Sequence, residues 1–462
     1  MSRSKSGPIL RAALIPGAVL ACVWSGCAPY GLSMDRVLGR LARGDPQSAL
    51  AQLDKNPREQ DALYQLERGI LLRLTGRRPE SNKAFDVAQG IAEDLYTRSV
   101  GREAAALAVS DRLRPYRPPM HELLLARQYQ ARNYLDEADL EGAAVEARRI
   151  GLLSAEVAAG IVDRPAEGDL LARLTAALIL EAAAEPDNAL IIYRNLLREA
   201  SDPKGSLRLP LPDWLAPRAG RLAEDLGVDL SGEISPKNAI GEPAGKPAFT
   251  VVVFVEAGFV PPRKEARISV PILKAEEGKD RGWVGGVVGQ RALLLSHDGW
   301  FPPEPAGIAY WLEIALPGYG FDSYAPFSCE VSAAGRRAAG SPAADIASCA
   351  RTTLEGEMPG IALRAALRAL IKYSAHHEAE EKGGAALGIL VNVLGAATES
   401  AETRSWLSLP HQIDLAVIDL PAPVEEVELA IREASGRERT IRLPLVRPPG
   451  CTFGFGSYRA WD

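Results

Sequence analysis

Residues 202–248 constrain this chain more than any other stretch. They contain Pro203, Pro210, Pro212, Pro217, Pro236, Pro243 and Pro247 together with several glycines. Proline fixes φ and donates no backbone hydrogen bond, so a run this dense interrupts regular structure. Within it only residues 215–226 keep a helical pattern. Before the break, apolar residues recur at helical spacing; after it, β-branched and aromatic residues come in short runs. The expected fold class is therefore α+β, with an N-terminal tetratricopeptide-like α-helical array followed by a mixed domain. That domain has a small β-sandwich-like sheet core and a helical insertion. The expected divisions are 1–26 signal peptide, 27–227 helical domain, 228–248 Pro/Gly-rich linker, 249–450 mixed domain with its insertion at about 359–401, and 451–462 C-terminal tail.

The helical half is marked by recurring helix starts. Asp45-Pro46, Pro79-Glu80 and Pro186-Asp187 each place a proline where the first helical turn tolerates it, and Asp45 is suited to cap. The first two starts lie about 32 residues apart, close to the roughly 34-residue period of tetratricopeptide units. Residues 116–149 read as a helical hairpin whose second half sets Leu140, Ala143, Ala144 and Ala147 on one stripe of small side chains, allowing another helix to approach closely. Glu146, Arg148 and Arg149 lie off that stripe and fix the hairpin against a neighbour. Arrays of this type offer a concave surface to a partner.

Beyond the break, residues 249–256 (FTVVVFVE) have the composition of a buried strand, and 266–273, 308–316, 413–418, 424–431 and 439–445 read as further strands. The helical insertion between them has an expected break at Gly383-Gly384. Strands from both sides of the insertion must pair across it, which gives one mixed domain rather than two.

The amino terminus fixes an address. Arg3, Lys5 and Arg11 precede an apolar run at 12–24 and then Ser25-Gly26-Cys27, the basic, apolar and small-residue parts of an export signal. The apolar run is too short to span a bilayer. Small residues just before Cys27 make it the expected lipidation site, with Cys22 the second choice because Val19 stands three residues before it. Loss of the signal leaves 50 basic against 59 acidic residues, a charge near −9. Such acidity gives no basic surface for displacing counterions from phosphates, so nucleic acid is not an expected partner. Anchoring would rest on acyl chains, and Ala28-Pro29 lacks the aspartate of an inner-membrane retention signal; the expected location is the periplasmic face of the outer membrane. In that oxidising compartment Cys329 and Cys349 either close a disulfide or remain, with Cys451, as thiols.

No stretch assembles a catalytic, metal or cofactor constellation. Arg364, Arg368 and Lys372 recur at steps of four on one side of a helix and form a possible anion-binding row, or else a solvated face. His376 and His377 are adjacent, so their side chains diverge and do not converge on one ion. The uncharged residues 385–398 are too short to span a membrane and read as a buried helix. Ser296-His297-Asp298 are consecutive and cannot form a relay, which needs side chains from separate places. Glu256 with Lys264 reads as a salt bridge beside a turn. The glycines around Gly285-Gly286 read as a flexible loop or hairpin, and Arg404 with Trp406 as a stacked pair at the domain junction.

Several stretches together resemble an uncharacterised bacterial lipoprotein family with a tetratricopeptide-like N-terminal half. They are residues 116–118, 129–134 and 145–149, then Val255-Glu256-Ala257-Gly258 with Pro261 and Lys264, and finally Glu402-Thr403-Arg404-Ser405-Trp406 and Leu409-Pro410-His411-Gln412-Ile413. The family pattern usually carries aspartate where Glu402 and His411 stand here. The resemblance implies an envelope lipoprotein found alongside other envelope lipoproteins, and it supplies no catalytic residues. The function expected is a non-enzymatic scaffold that holds envelope proteins through its helical array. The alternative is an enzyme or binding module for cell-wall or surface polysaccharide, with its site in the C-terminal domain.

Overall fold

In the computed structural model the described residues are 30–97, 114–158, 169–202, 207–230, 247–273, 284–288, 291–295, 308–320, 324, 327–398 and 400–461. The expected signal at 1–26 with Cys22 and Cys27, residues 231–246 of the expected linker, and Ser296-His297-Asp298 lie outside them.

Nine of the described helices precede the first strand: α1 (Tyr30–Leu41), α2 (Pro46–Leu53), α3 (Ala62–Leu74), α4 (Arg78–Thr97), α5 (Met120–Asp136), α6 (Leu140–Ala158), α7 (Asp169–Ala182), α8 (Pro186–Ser201) and α9 (Leu215–Leu226). Their ends follow the local chemistry. Asp45 accepts from the Ser48 amide at 3.0 Å at the start of α2, with Pro46 in the first turn. Asp61 accepts from the Leu63 amide at 2.9 Å at the start of α3, and Gly227 closes α9 in the left-handed region at φ 68°. Successive helices α5 to α9 pack as neighbours. On α6 the small-residue stripe is buried at Ala143, Ala144 and Ala147.

The strand half holds three four-stranded sheets among the described residues. The first has the order β12 (Phe453–Ala460), β1 (Phe249–Ala257), β9 (Gln412–Leu420), β8 (Ser341–Asp345). The second runs β11 (Glu438–Pro444), β10 (Glu426–Glu433), β6 (Phe327–Ala333), β7 (Arg336–Ala339). The third runs β4 (Arg291–Leu295), β3 (Val284–Val288), β2 (Arg263–Leu273), β5 (Ile308–Tyr319). The expected loop or hairpin around Gly285-Gly286 is the β3–β4 hairpin.

β1 explains the architecture. All nine of its residues are buried, and they divide by parity, as successive strand side chains must. Phe249, Val251, Val253 and Val255 join Val331, Leu429 and Ile431 in an apolar cluster between the first and second sheets. Val252 and Phe254 face the other way, into a cluster with Tyr129, Ala147, Leu171 and Tyr193 of the helices. The first sheet is therefore the middle layer between helices and a second sheet. A strand covered on both faces has no solvated side, hence its predominantly apolar sequence, with Thr250 and Glu256 buried among the apolar residues.

Two expectations are corrected here. Residues 451–462 are not a tail: β12 pairs in parallel with β1 from Thr250 opposite Phe453 to Ala257 opposite Ala460. Its Gly454 is required because a Cβ there would lie 2.8 Å from the Phe249 ring. The helical insertion, expected from about 359, begins at Ile346 and continues as α10 (Ile346–Thr398) through Pro359 and without a break at Gly383-Gly384. It packs on β5.

Candidate functional site

Two places gather side chains capable of chemistry: a charged junction between the helices and the first sheet, and a cleft lined by arginines.

The junction is built on α3 and α5, whose inward faces carry Glu67, Arg73, Glu122, Tyr129 and Arg132, all buried. Opposite them stand Glu256 on β1, Arg459 on β12 and the segment 401–410 that leads into β9. Arg132 Nη1 reaches Glu256 Oε1 at 2.5 Å, and Arg459 Nη1 reaches Glu256 Oε2 at 3.2 Å. Burial alone would push the Glu256 carboxyl up, but Arg132, Arg459 and Arg73 together hold it below its ordinary range. Arg73 pairs with Asp136 at 2.9 Å and donates to Asn133 at 2.6 Å. Arg132 Nη2 donates to Ser457 Oγ at 3.1 Å.

Nearby, two buried carboxylates receive the backbone of the 401–410 segment. Glu67 accepts from the Leu407 and Ser408 amides at 2.8 and 3.1 Å and from the Tyr30 hydroxyl at 2.7 Å. Glu122 accepts from the Trp406 amide at 3.2 Å and from the Tyr116 hydroxyl at 2.8 Å. Trp406 is fully buried against Phe85 and Tyr129, at ring distances of 5.8 and 6.3 Å. The expected stack of Arg404 on Trp406 is replaced: Arg404 lies over Tyr116 at 5.8 Å, pairs with Glu402 and donates to the Arg114 carbonyl at 2.7 Å. The expected Glu256–Lys264 pair is likewise replaced, since Lys264 is exposed on β2 and the partners of Glu256 are arginines.

The titratable groups of this junction are engaged by one another and by the backbone. Glu256 is held ionised between two guanidinium groups and has no proton to give. Burial raises the Glu122 carboxyl to about 7, yet its oxygens are engaged by the fold and hidden from solvent. His121 beside it is pushed down to about 3 by burial and by Arg263. Thr353 Oγ1 donates to the Cys349 carbonyl, so the 3.0 Å contact with His121 Nδ1 makes the imidazole the donor there.

A pH dependence follows. Folded Glu122 keeps its proton to about pH 7, while an ordinary glutamate releases it near 4.5. The fold therefore loses stability as pH rises between those values, by up to about 3 kcal/mol. His121 works in the opposite sense between 3 and 6.5, so comparison with a variant isolates the glutamate. Urea melts of Glu122→Gln and the unaltered protein should diverge between pH 5 and pH 8, the variant holding its stability as the unaltered protein declines. Parallel curves would assign Glu122 an ordinary proton affinity.

Cys329 does not join Cys349. Its thiol is buried with Sγ 3.9 Å from Asp414 Oδ2, and burial together with that carboxyl holds it well above the usual thiol range. Burial in turn raises Asp414 to about 6. Such a thiol is a poor nucleophile. Cys451 is also a buried thiol, with Sγ 3.7 Å from the Ala182 carbonyl oxygen. The cation row on α10 is corrected too. Arg368 is buried and Arg364 and Lys372 are half-buried, while Leu363, Leu370 and Ile371 take exposed positions at 62, 53 and 49%. Apolar residues fall on both sides of the helix along this stretch, since Ile361, Ala365 and Ala369 are buried, and the row is not a uniformly solvated face. Arg148 ties the hairpin to a neighbour by pairing with Glu185 at the start of α8, whereas Arg149 pairs with Glu146 at 2.7 Å within α6 itself.

The second place is a cleft of about 370 Å³ between α9 and the edges of β7 and β9. Trp214, Arg218 and Arg221 line one wall; Arg336, Arg337 and Asp419 line the other. Sequence reading missed it because its residues come from the proline-interrupted stretch and from a short hairpin, and the doublet Arg336-Arg337 was its only local signal.

Among the described residues no helix is long and apolar enough to cross a membrane, and no three metal-ligating side chains converge. No family model, curated protein or solved structure matches this chain.

Proposed function

We propose that this chain is an outer-membrane-anchored periplasmic lipoprotein, lipidated at Cys27, that serves as a protein–protein interaction scaffold in the cell envelope, with a tetratricopeptide-like array as its helical half. The observation that carries the reading is the buried junction. Its acids and guanidiniums are spent on locking the array to the first sheet, which makes a rigid platform and leaves no solvent-open acid or base. One face of the array is thereby filled by the chain's own sheet. A partner would meet the remaining helical surface, where Val145 and Leu152 stand seven residues apart on α6 and Ile191 stands exposed on α8.

In cells, Cys27→Ala should move the protein from the membrane to the soluble fraction. Crosslinking in intact cells should recover an envelope protein through the array, and the yield should fall in a Leu152→Glu/Ile191→Glu variant. Unchanged membrane fractionation would remove the anchor from this proposal, and a crosslinked sample without an envelope partner would remove the scaffold. A second reading, a module for cell-wall or surface polysaccharide, is favoured by the arginine-lined cleft.

A further inference from the structure

We infer that the cleft between α9, β7 and β9 is a binding site for an acidic glycan, gripping a carboxylate or phosphate on the sugar with Arg221, Arg336 and Arg337 and stacking the ring on Trp214. This rests on the second reading above and is independent of the scaffold.

The guanidinium groups are arranged so that the acid in the cleft does not neutralise all of them. Arg218 is buried and fully committed: Nε pairs with Glu181 at 2.7 Å, Nη1 with Asp419 Oδ1 at 3.0 Å, and Nη2 donates to Thr250 at 3.2 Å. Asp419 Oδ1 also accepts from Thr250 Oγ1 at 2.8 Å, and Oδ2 takes Arg221 Nη2 at 2.6 Å. Both carboxylate oxygens are thus occupied from the α9 side. Among the described residues Arg336 donates to the backbone carbonyl of Asp419, at 2.9 Å, a contact with no carboxylate. Arg337 is largely exposed and touches Glu330 at 3.4 Å, a solvated pair worth little. Each guanidinium has five N–H donors in a planar fork, so Arg221, Arg336 and Arg337 retain most of theirs. A planar fork of this kind suits the two oxygens of a carboxylate or phosphate.

The aromatic wall is equally fixed. Trp214 is half-buried and held edge-on against Tyr193, with ring centroids 6.4 Å apart at 81°. Its Nε1 is buried and bonds no described protein atom. The cleft volume of about 370 Å³ lies within the range of small-molecule sites, roughly 300–1,000 Å³. A second cleft of about 490 Å³ adjoins it, sharing Arg336 and Arg337 and lined further by Ser332, Glu426, Glu428 and Arg442. Two clefts meeting at one arginine pair suit an extended ligand better than a free ion. The setting sharpens the case: the chain as a whole is acidic, with a net charge of −6, so attraction here is local to the cleft.

Calorimetry on the full chain in detergent tests this, with trigalacturonic acid, glucose 6-phosphate, maltotriose and inorganic phosphate as probes. Saturable binding of trigalacturonic acid or glucose 6-phosphate is expected, with no binding of maltotriose and at least tenfold weaker binding of inorganic phosphate. Binding of only one acidic sugar would identify the anion as carboxylate or phosphate. In the Arg336→Gln/Arg337→Gln variant the affinity should fall at least tenfold at an unchanged melting temperature, since both side chains are exposed. Trp214→Ala should weaken both acidic sugars, and Trp214→Phe should retain most of the binding. Absence of saturable binding by either acidic sugar, equal binding of maltotriose or of inorganic phosphate, or an unaffected arginine variant would each overturn the inference. The crosslinking result for the scaffold would stand unaltered in every one of those cases.

Discussion

Replacing Glu256 by glutamine is expected to destabilise the protein by about 3–5 kcal/mol, the cost of breaking a buried ion pair from one side. The shape of the residue is kept, so the loss comes from charge. Arg132 and Arg459 lose their shared carboxylate, and Arg73 loses an attractive neighbour while fully buried itself. Burial already pushes the Arg73 guanidinium down, and Glu256 is among the groups that oppose this. Urea denaturation at neutral pH provides the measurement. A cycle with Arg132→Gln separates charge from packing: if the two groups act as a pair, the double variant should lose clearly less than the two single losses combined. The depressed Glu256 carboxyl also stabilises the fold above its ordinary titration range and ceases to as pH falls. The glutamine variant should therefore be less sensitive to acid than the unaltered protein. A loss below about 1 kcal/mol would mean that the arginines are neutralised in some other way.

Trp406→Ala is expected to cost a similar amount, about 3–5 kcal/mol, through the cavity left beside Phe85 and Tyr129. The indole also donates to Ser408 Oγ at 3.0 Å, and its backbone amide is held by Glu122. The whole 401–410 segment should loosen in this variant. Limited proteolysis would read that directly, with new cleavage confined to the segment at a protease dose that leaves the unaltered protein intact. Trp406→Phe should keep much of the packing and stay resistant. A stable Trp406→Ala protein cut at no new place would show that the segment is held by the Glu67 and Glu122 hydrogen bonds alone.

The elements legible in the sequence were those whose environment is uniform along their length. β1 announced itself because both of its faces are buried and Val251–Val255 is an unbroken β-branched and aromatic run between Thr250 and Glu256. The start of α2 was legible because Asp45 and Pro46 act on their own backbone neighbours. β8 and β12 were not, since Pro342 and Gly454 argue locally against strands and are tolerated only because of what lies beside them. The Arg364, Arg368, Lys372 row shows a different limit. Spacing placed the three on one side of α10, but how far each meets water depends on what packs against the helix, which spacing does not show. The arginine cleft was hidden for the same reason: Arg221 and Arg336 are brought together by tertiary packing, and each alone resembles an ordinary surface cation. Stretches singled out by the family resemblance, among them Tyr129, Arg132, Glu256 and Trp406, do meet at one place, and that place is a structural lock.

The pairing of β1 has a kinetic consequence. Its neighbours are β9 and β12, more than 150 residues downstream, and the parallel partner supplies Arg459 to Glu256. Contacts this distant in sequence form slowly, because the intervening chain must be ordered before they compensate its entropy. The helices can assemble from local contacts soon after they emerge. Until β12 arrives, however, β1 lacks its parallel neighbour and Glu256 lacks its second guanidinium, Arg459. A chain interrupted before Phe453 would remain in that half-assembled condition, a natural target for holding factors and proteases. Completion of the fold thus becomes a test of whether the whole sequence has been delivered.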